Sequence, residues 1–325
     1  MPSTIWPYVT ALLYFTRLST CKAIAKTSKK LSHDCLTRML RANWSGHTLL
    51  DWVLRSLFTV VGGYLIIDDT IIEKPHSKYM QEAFWNYSHK HKKKVFGVMV
   101  VLLIWTNDLF RIPIGFRVWK KGGPTKIELA LDLLSYARNH LKVKPQFVLF
   151  DAWYPSKVIL KRIRDYGWYF VCRLKSNRKF NGIRLKKYKQ QPYWNDIGVL
   201  TGGIKVFVVK HRCKYFATNR LTLTAPQVRL EYKKRQAIEE VIKILKSELG
   251  LEDCQAGYER ACNRIRSTPP IQAQEHHIAL CLVAYLILEK ERFKRKTSIR
   301  ELRQDLIIKR FRIKLPVLAQ LRDAA

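Results

Sequence analysis

The sequence has 325 residues, enough to bury a full core and to form two or three domains, and its hydrophobic content of 47% excludes general disorder. Lysine and arginine number 60 against 25 acidic residues, so the net charge of +35 makes a polyanion the expected partner, with nucleic acid as the leading candidate. No apolar run reaches the ~18 residues that a membrane-spanning helix needs, so we expect no membrane contact.

The N-terminus and the cysteines indicate the cellular compartment. The first residues, MPSTIWPYVTALLYF, lack the early positive charge and the cleavage site of a signal peptide, so we expect a cytoplasmic, nucleoid-associated protein. The seven cysteines are odd in number and include no CxxC motif, which fits a reducing compartment. We therefore expect neither disulfides nor structural zinc.

Residues 1–56 are predicted to form a small helical domain. Within it, residues 22–41 indicate a helix, a turn and a second helix that begins after Ser32 as N-cap. The second helix would place basic and polar side chains near one edge, as a DNA-recognition helix requires: Lys29, Lys30, His33, Thr37, Arg38 and Arg41. A helical cap on the next domain with incidental basic residues fits equally well.

The first strand is predicted from the apolar run VVGGYLIIDDT at residues 60–70, which ends at Asp68 and Asp69. Such a run suits a central strand whose carboxyl end opens onto a site. A single aspartate at a strand end is more often a turn former or a helix cap, so a site needs further acids nearby.

The next segment, residues 73–94, is predicted to be a loop rich in lysine, histidine and aromatic residues. It is either a solvated surface connection or a DNA-contacting loop, in which lysines pair with phosphates while Trp85 and Tyr87 stack on bases. His76, His89 and His91 have no neighbours at the spacing of a metal-ligand set.

The middle of the chain predicts strands at residues 95–105 and 110–119, a helix at 125–141, and a strand that ends at Asp151. The order strand, strand, strand, helix, strand is that of the RNase H fold. In that fold the first and fourth strands are neighbours, so Asp68 and Asp151 would meet.

A helix at residues 155–166 and a strand at 168–174 follow, and a later apolar helix at 272–288 is expected to close the sheet. These elements divide the chain into four predicted parts: the helical domain 1–56, a catalytic domain made of 57–175 and 227–291, a β-rich insertion at 176–226, and a basic C-terminal tail at 292–325.

A helix is predicted over residues 231–251, EYKKRQAIEEVIKILKSELGL. At about 100° per residue, four of its polar side chains share an arc of about 60° beside the apolar face: Tyr232, Arg235, Glu239 and Lys246. Glu239 is thus expected at the edge of the core, whereas Glu240 is expected to project towards water. An ordinary amphipathic helix with solvated charges would look similar.

The spacing Tyr, two residues, Arg, three residues, Glu, six residues, Lys resembles the motif of a large group of bacterial insertion-sequence transposases, the DDE transposases. The resemblance covers most of residues 60–251. It implies an α/β fold with an RNase H-like mixed five-stranded sheet flanked by helices, and a β-rich insertion before the Glu helix. It also implies that Glu239 joins Asp68 and Asp151 as the third carboxylate.

The choice between Asp68 and Asp69 rests on the resemblance, because the apolar run covers both faces of the strand. Members of the group commonly show Asp, one residue, then Thr at this strand end. Asp68, Asp69 and Thr70 fit that pattern with Asp68 as the metal ligand and Asp69 as the alternative.

Clustered carboxylates repel each other unless a cation lies among them. Oxygen-only ligands select Mg²⁺, with Mn²⁺ as an alternative, over Zn²⁺, so Asp68, Asp151 and Glu239 are the predicted metal ligands. The other motif residues are predicted to bind DNA. Arg235 and Lys246 would clamp phosphates beside the scissile bond, and Tyr232 would add a hydrogen bond or a stacking surface.

The resemblance implies a transposase that uses Mg²⁺ to cut double-stranded DNA at terminal inverted repeats and joins the freed ends to target DNA. Two ends need two chains, so a homodimer on DNA is implied. Two alternatives are a catalytically inactive DNA-binding repressor derived from a transposase, and an RNase H-like nuclease without strand transfer.

Overall fold

The computed structural model describes residues 2–14, 20–27, 31–75, 83–88, 92–188, 191–256, 271–308, 320–321 and 323–324. The helices are α1 Ile5–Tyr14, α2 Cys21–Thr27, α3 His33–Arg41, α4 Gly46–Leu57, α5 Lys126–Asn139, α6 Lys157–Asp165, α7 Ala225–Lys233, α8 Gln236–Ser247, α9 Ile271–Arg295 and α10 Ile299–Ile308. The strands are β1 Tyr64–Glu73, β2 Phe84–Ser88, β3 Lys93–Thr106, β4 Arg111–Val118, β5 Phe147–Phe150, β6 Phe170–Leu174, β7 Lys179–Phe180, β8 Ile183–Arg184, β9 Tyr193–Leu200, β10 Ile204–His211 and β11 Lys214–Thr218.

A large mixed sheet flanked by helices forms the centre of the molecule. Its strand order is β2-β3-β1-β5-β6-β11-β10-β9-β7-β8, with β4 also paired to β3. The pairs β1–β5 and β5–β6 are parallel, and β1–β3 and β3–β4 are antiparallel. Residues 98–105 of β3 are all buried, which explains why this strand is apolar on both faces.

The predicted strand count of five is wrong for the described residues, because the sheet contains eleven strands. The five predicted strands are β1, β3, β4, β5 and β6. Beyond them, β11, in the segment predicted to be an insertion, pairs antiparallel with β6, so the strands of this segment extend the same sheet. Gly202 and Gly203, with φ of 108° and 77°, make the turn that returns β10 along β9.

The segment predicted as a loop at residues 73–94 is partly strand. β1 continues to Glu73, and β2 pairs antiparallel with the start of β3. The aspartates therefore lie inside β1 rather than at its end. However, β1 pairs with β5 only as far as Ile67, so Asp68 is the first residue beyond the parallel pairing. His76, His89 and His91 lie outside the described residues.

The N-terminal helices pack on α9, whose residues 278–289 are all buried. At the closest approach, a Cβ on Gly46 of α4 would come within 2.7 Å of the Ala279 side chain. Ser32 caps α3 by accepting a hydrogen bond from the Cys35 amide, as the sequence predicts. Lys29 and Lys30 of the predicted recognition helix lie outside the described residues. None of the helices in the described ranges is long and apolar enough to cross a membrane.

The helix predicted over residues 231–251 is divided into α7 and α8. Between them the amides of Lys234 and Arg235 donate to the carbonyls of Glu231 and Tyr232, three residues earlier. This tighter turn interrupts the regular α-helical pattern while the backbone stays helical at both residues. Consequently Tyr232 and Glu239, predicted to lie on one helix, belong to two.

Candidate active site

Two aspartates follow the paired ends of neighbouring parallel strands. Ile67 of β1 lies beside Phe150 of β5, so Asp68 and Asp151 are each the next residue at the same edge. Burial is the largest effect on Asp68 and raises its pKa to about 6. The Arg235 guanidinium opposes this rise in pKa, and the nearby carboxylates of Asp151 and Asp69 add to it. The structure therefore brings Asp68 and Asp151 within electrostatic reach of each other.

Arg235 connects Glu239 to Asp68. Its guanidinium donates one hydrogen bond to Asp68 Oδ2 at 2.7 Å and another to Glu239 Oε1, one helical turn further along the chain. The turn between α7 and α8 places Arg235 at the start of α8, where its side chain reaches β1. The three residues form a continuous carboxylate–guanidinium–carboxylate arrangement.

The predicted difference in burial between Glu239 and Glu240 is wrong. The Glu239 side chain is 55% exposed and that of Glu240 is 45% exposed, so neither lies in the core. The two glutamates differ in their partners instead. Glu239 contacts Arg235, whereas Glu240 pairs with Arg111 at the start of β4, at 3.1 Å. Glu239 is thus the glutamate linked to Asp68.

Asp69 has a separate set of partners. Its carboxylate accepts hydrogen bonds from Lys126 Nζ at 3.1 Å and from the Tyr154 hydroxyl at 2.9 Å. Burial raises the pKa of Tyr154 well above its usual value, so the phenol remains a donor. Successive strand residues point to opposite faces, and Asp68 accordingly reaches α8 while Asp69 reaches α5 and the loop after β5.

Comparison with known proteins identifies the family. The family model of the transposase DDE domain matches residues 62–264, more than half of the chain. The chain belongs to the DDE transposase family. A comparison with the curated proteins gave no match.

Among solved structures, this chain is similar to a piggyBac transposase, whose structure was determined by cryo-EM in a synaptic complex with hairpin DNA. The similarity has a TM-score of 0.54 at 14% identity, and it covers 98% of this chain and 73% of the other. At this identity the similarity concerns the fold. The matched range of the family model includes both aspartates, Arg235 and Glu239.

Tyr232 and Lys246 of the DDE domain have contacts within the fold. The Tyr232 ring packs edge-on against Phe216 of β11, with ring centres 5.1 Å apart, and lies 6.0 Å from the Arg235 guanidinium carbon. Lys246 Nζ donates to the Ile71 carbonyl of β1 and pairs with Glu252 at 2.8 Å. Both side chains therefore hold α7 and α8 against the sheet.

Asp151 is held by its own loop. Its Oδ1 accepts a hydrogen bond from the Trp153 amide at 2.8 Å, a turn typical of aspartate. The Trp153 ring lies beneath Lys126 Nζ, 4.0 Å from the ring centre. Lys126 thus contacts both the Asp151 loop and Asp69.

Lys126 and Tyr154 are the site residues that the sequence did not reveal. Lys126 follows Thr125, which caps α5 in a capping box with Glu128, and this local signal places the start of the helix but not the direction of the lysine. Its contact with Asp69 joins residues 57 positions apart, and that of Tyr154 joins residues 85 positions apart. No local pattern indicates either contact.

The carboxylates fit a hard divalent cation by their chemistry. Within the described ranges, no three His, Cys, Asp or Glu side chains are already grouped as a metal site. Nevertheless, Asp68, Asp151 and Glu239 offer only oxygen ligands, and burial together with the neighbouring carboxylates of Asp151 and Asp69 raises the pKa of Asp68. Arg235 supplies part of that charge between Asp68 and Glu239.

Proposed function

We propose that this chain is a transposase that cuts double-stranded DNA at the terminal inverted repeats of its element and joins the freed 3′ ends to target DNA. The observation that carries the proposal is the link from Asp68 through Arg235 to Glu239, beside Asp151 at the next parallel strand. The family match and the net charge of +35 agree with a DNA substrate.

The fold supports an RNase H-like core within the larger sheet. The strands β4, β3, β1, β5 and β6 are adjacent in that order, with the first pairs antiparallel and the last two parallel. We infer that these five strands form the catalytic core and that the insertion strands are an extension of it.

DDE transposases generally use divalent metal ions. Asp68, Asp151 and Glu239 would hold Mg²⁺, or Mn²⁺, and the bound ion would supply Lewis-acid activation of the attacking water or 3′-hydroxyl and charge stabilisation of the leaving oxygen. We leave Asp69 out of this set because its carboxylate points to the opposite face of β1 from Arg235 and Glu239, towards Lys126 and Tyr154. Asp69 instead orients β1 and the Asp151 loop relative to each other.

Arg235 has two successive roles in this proposal. Without DNA it neutralises Asp68 and Glu239, and with DNA its planar guanidinium can bind a phosphate beside the scissile bond. Tyr232 supports the guanidinium from one side. Lys246, with 26% of its side chain exposed, lies two turns from Glu239 and would contact a second phosphate.

The two ends of an element require two active sites, so we infer a homodimer on DNA. The test is an assay with labelled duplexes that carry the element ends, with Mg²⁺ and purified protein. Cutting followed by joining is expected. Cutting without joining would indicate a nuclease, and binding without cutting would indicate a repressor.

Glu239→Gln and Glu240→Gln form a matched pair for this assay. The two glutamates are adjacent and similarly exposed, yet only Glu239 is linked to Asp68. Glu239→Gln should abolish cleavage and leave DNA affinity almost unchanged, because the basic surface that carries binding remains. Glu240→Gln should cut nearly as well as the wild type. Equal loss in both variants would remove Glu239 from the proposed site.

A further inference from the structure

The ribbon formed by β2 and β3 presents one exposed face of aromatic and basic side chains. Trp85 lies opposite Phe96, and Tyr87 lies opposite Lys94, in the antiparallel register. Opposed residues and alternate residues of a strand share a face, so these four side chains project together. Trp85 is 67% exposed and Tyr87 is 56% exposed. We call these four residues the ribbon face.

The other face of the same ribbon is packed. Phe84 contacts Trp119 with ring centres 4.4 Å apart, and Asn86 and Val95 are buried. Asn86 Nδ2 also donates to the Phe84 carbonyl at 3.0 Å. The ribbon is therefore anchored to the sheet, and the exposure of Trp85 and Tyr87 is a property of an ordered surface. Among the described strands β2 is the outermost of the sheet at this end, and an exposed ring as large as that of Trp85 on such a strand is costly unless a partner covers it.

The charge of the ribbon identifies the kind of partner. Lys92, Lys93 and Lys94 are consecutive and exposed where β3 begins. A second copy of this chain, with its net charge of +35, would be repelled by such a surface, whereas a polyanion would be attracted. Lysines pair with phosphates, and a two-stranded β-ribbon fits the major groove of duplex DNA.

The register gives the separation along β3 between the ribbon face and the candidate active site. Asp68 lies opposite Leu102 of β3, and the ribbon face includes Phe96 and Lys94 of the same strand. At ~3.4 Å per residue these positions are about 20 to 27 Å from Leu102. Duplex DNA rises ~3.4 Å per base pair, so a duplex whose axis runs parallel to β3 would span this distance with about six to eight base pairs.

We propose that the β2–β3 ribbon binds the major groove of the duplex about six to eight base pairs from the cleaved bond, an inference that rests on the proposed function. Lys94 pairs with a phosphate. The rings of Trp85 and Tyr87 contact base edges and thymine methyl groups.

The test compares three variants by hydroxyl-radical footprinting and by titration of a labelled duplex that carries one element end. The double variant Trp85→Ala, Tyr87→Ala should weaken binding about tenfold or more and lose protection only about six to eight base pairs from the cut, with an unchanged salt slope. Lys94→Ala should reduce the salt slope by about one counterion. Tyr169→Ala is the control, since it removes a 43% exposed ring just before β6, and it should change neither the footprint nor the salt slope.

Several outcomes would overturn the inference. One is a wild-type footprint in the double variant, and another is a loss of protection spread evenly along the duplex. A third is a change in self-association of the DNA-free protein, measured by sedimentation, which would make the ribbon a contact between copies. Footprints need only the folded fraction, so reduced stability of a variant would not hide the result. Failure of the wild type to cut the duplex would count against the proposed function instead.

Discussion

Asp68→Asn is expected to stabilise the metal-free protein at neutral pH. The pKa of Asp68 rises from 3.8 to about 6 on folding, mainly through burial. A group whose pKa is raised on folding contributes its stability fully below the unfolded pKa and loses it as pH rises through the folded pKa. At ~1.4 kcal/mol per pKa unit, the loss above pH 6 is about 3 kcal/mol. Asparagine resembles the neutral carboxyl and avoids this loss.

The free energy of unfolding would be measured by urea titration with a chelator present, from pH 4 to pH 8. The variant should exceed the wild type by up to about 3 kcal/mol at pH 7.5, and the difference should shrink towards zero near pH 4. Asp69→Asn is the matched control. It removes the negative charge that pairs with Lys126 and leaves one acceptor oxygen for the two donors, Lys126 and Tyr154, so it should destabilise the protein by about 1 to 3 kcal/mol.

Equal destabilisation by both asparagine variants would refute this reasoning, as would a stability difference for Asp68→Asn that does not depend on pH. Either result would mean that the buried carboxylate of Asp68 does not destabilise the folded protein at neutral pH. Added Mg²⁺ should reduce the difference in unfolding free energy between Asp68→Asn and the wild type, because Asp68 is a proposed ligand and Mg²⁺ should stabilise only the wild type.

Three further predictions concern the same site. Asp68→Cys should cut DNA with Mn²⁺ but not with Mg²⁺, because Mn²⁺ tolerates a thiolate better, and rescue of Asp69→Cys alone would reverse the assignment. Arg235→Gln should bind Mn²⁺ about tenfold more tightly without DNA, as measured by electron paramagnetic resonance, because the substitution removes a competing cation, yet the variant should cut DNA more slowly. An unchanged Mn²⁺ affinity would contradict the proposed neutralisation of Asp68 and Glu239 by Arg235. Lys246→Ala should lower the free energy of unfolding by about 1 kcal/mol and the salt slope of DNA binding by about one counterion. A variant that equals the wild type in both quantities would show that Lys246 is an ordinary surface charge.

The strand content of the core was predictable because it depends on local composition. The buried runs in β1, β3 and β5 are apolar on both faces, and acidic residues follow the parallel-paired segments of β1 and β5 directly. The capping residue Ser32 likewise marks a helix start that the structure shows.

The extent of the sheet was not predictable in the same way. β2 lies in a segment of lysines and aromatic residues that has the composition of a loop, and it is a strand because β3 offers a pairing edge. Strand β11 joins the core for the same reason, through β6. Pairing partners far apart in sequence decide such cases, and composition does not report them.

The sequence by itself determined the family motif, the excess of positive charge, and the two apolar runs that Asp68 and Asp151 directly follow. Only the tertiary structure decided how the neighbouring acids differ. Asp69 is occupied by Lys126 and Tyr154, 57 and 85 positions away, while Arg235 reaches Asp68 across 167 positions. A helical wheel cannot predict these contacts, because it describes one helix in isolation. The direction of each carboxylate is set by the packing of helices on opposite faces of the sheet.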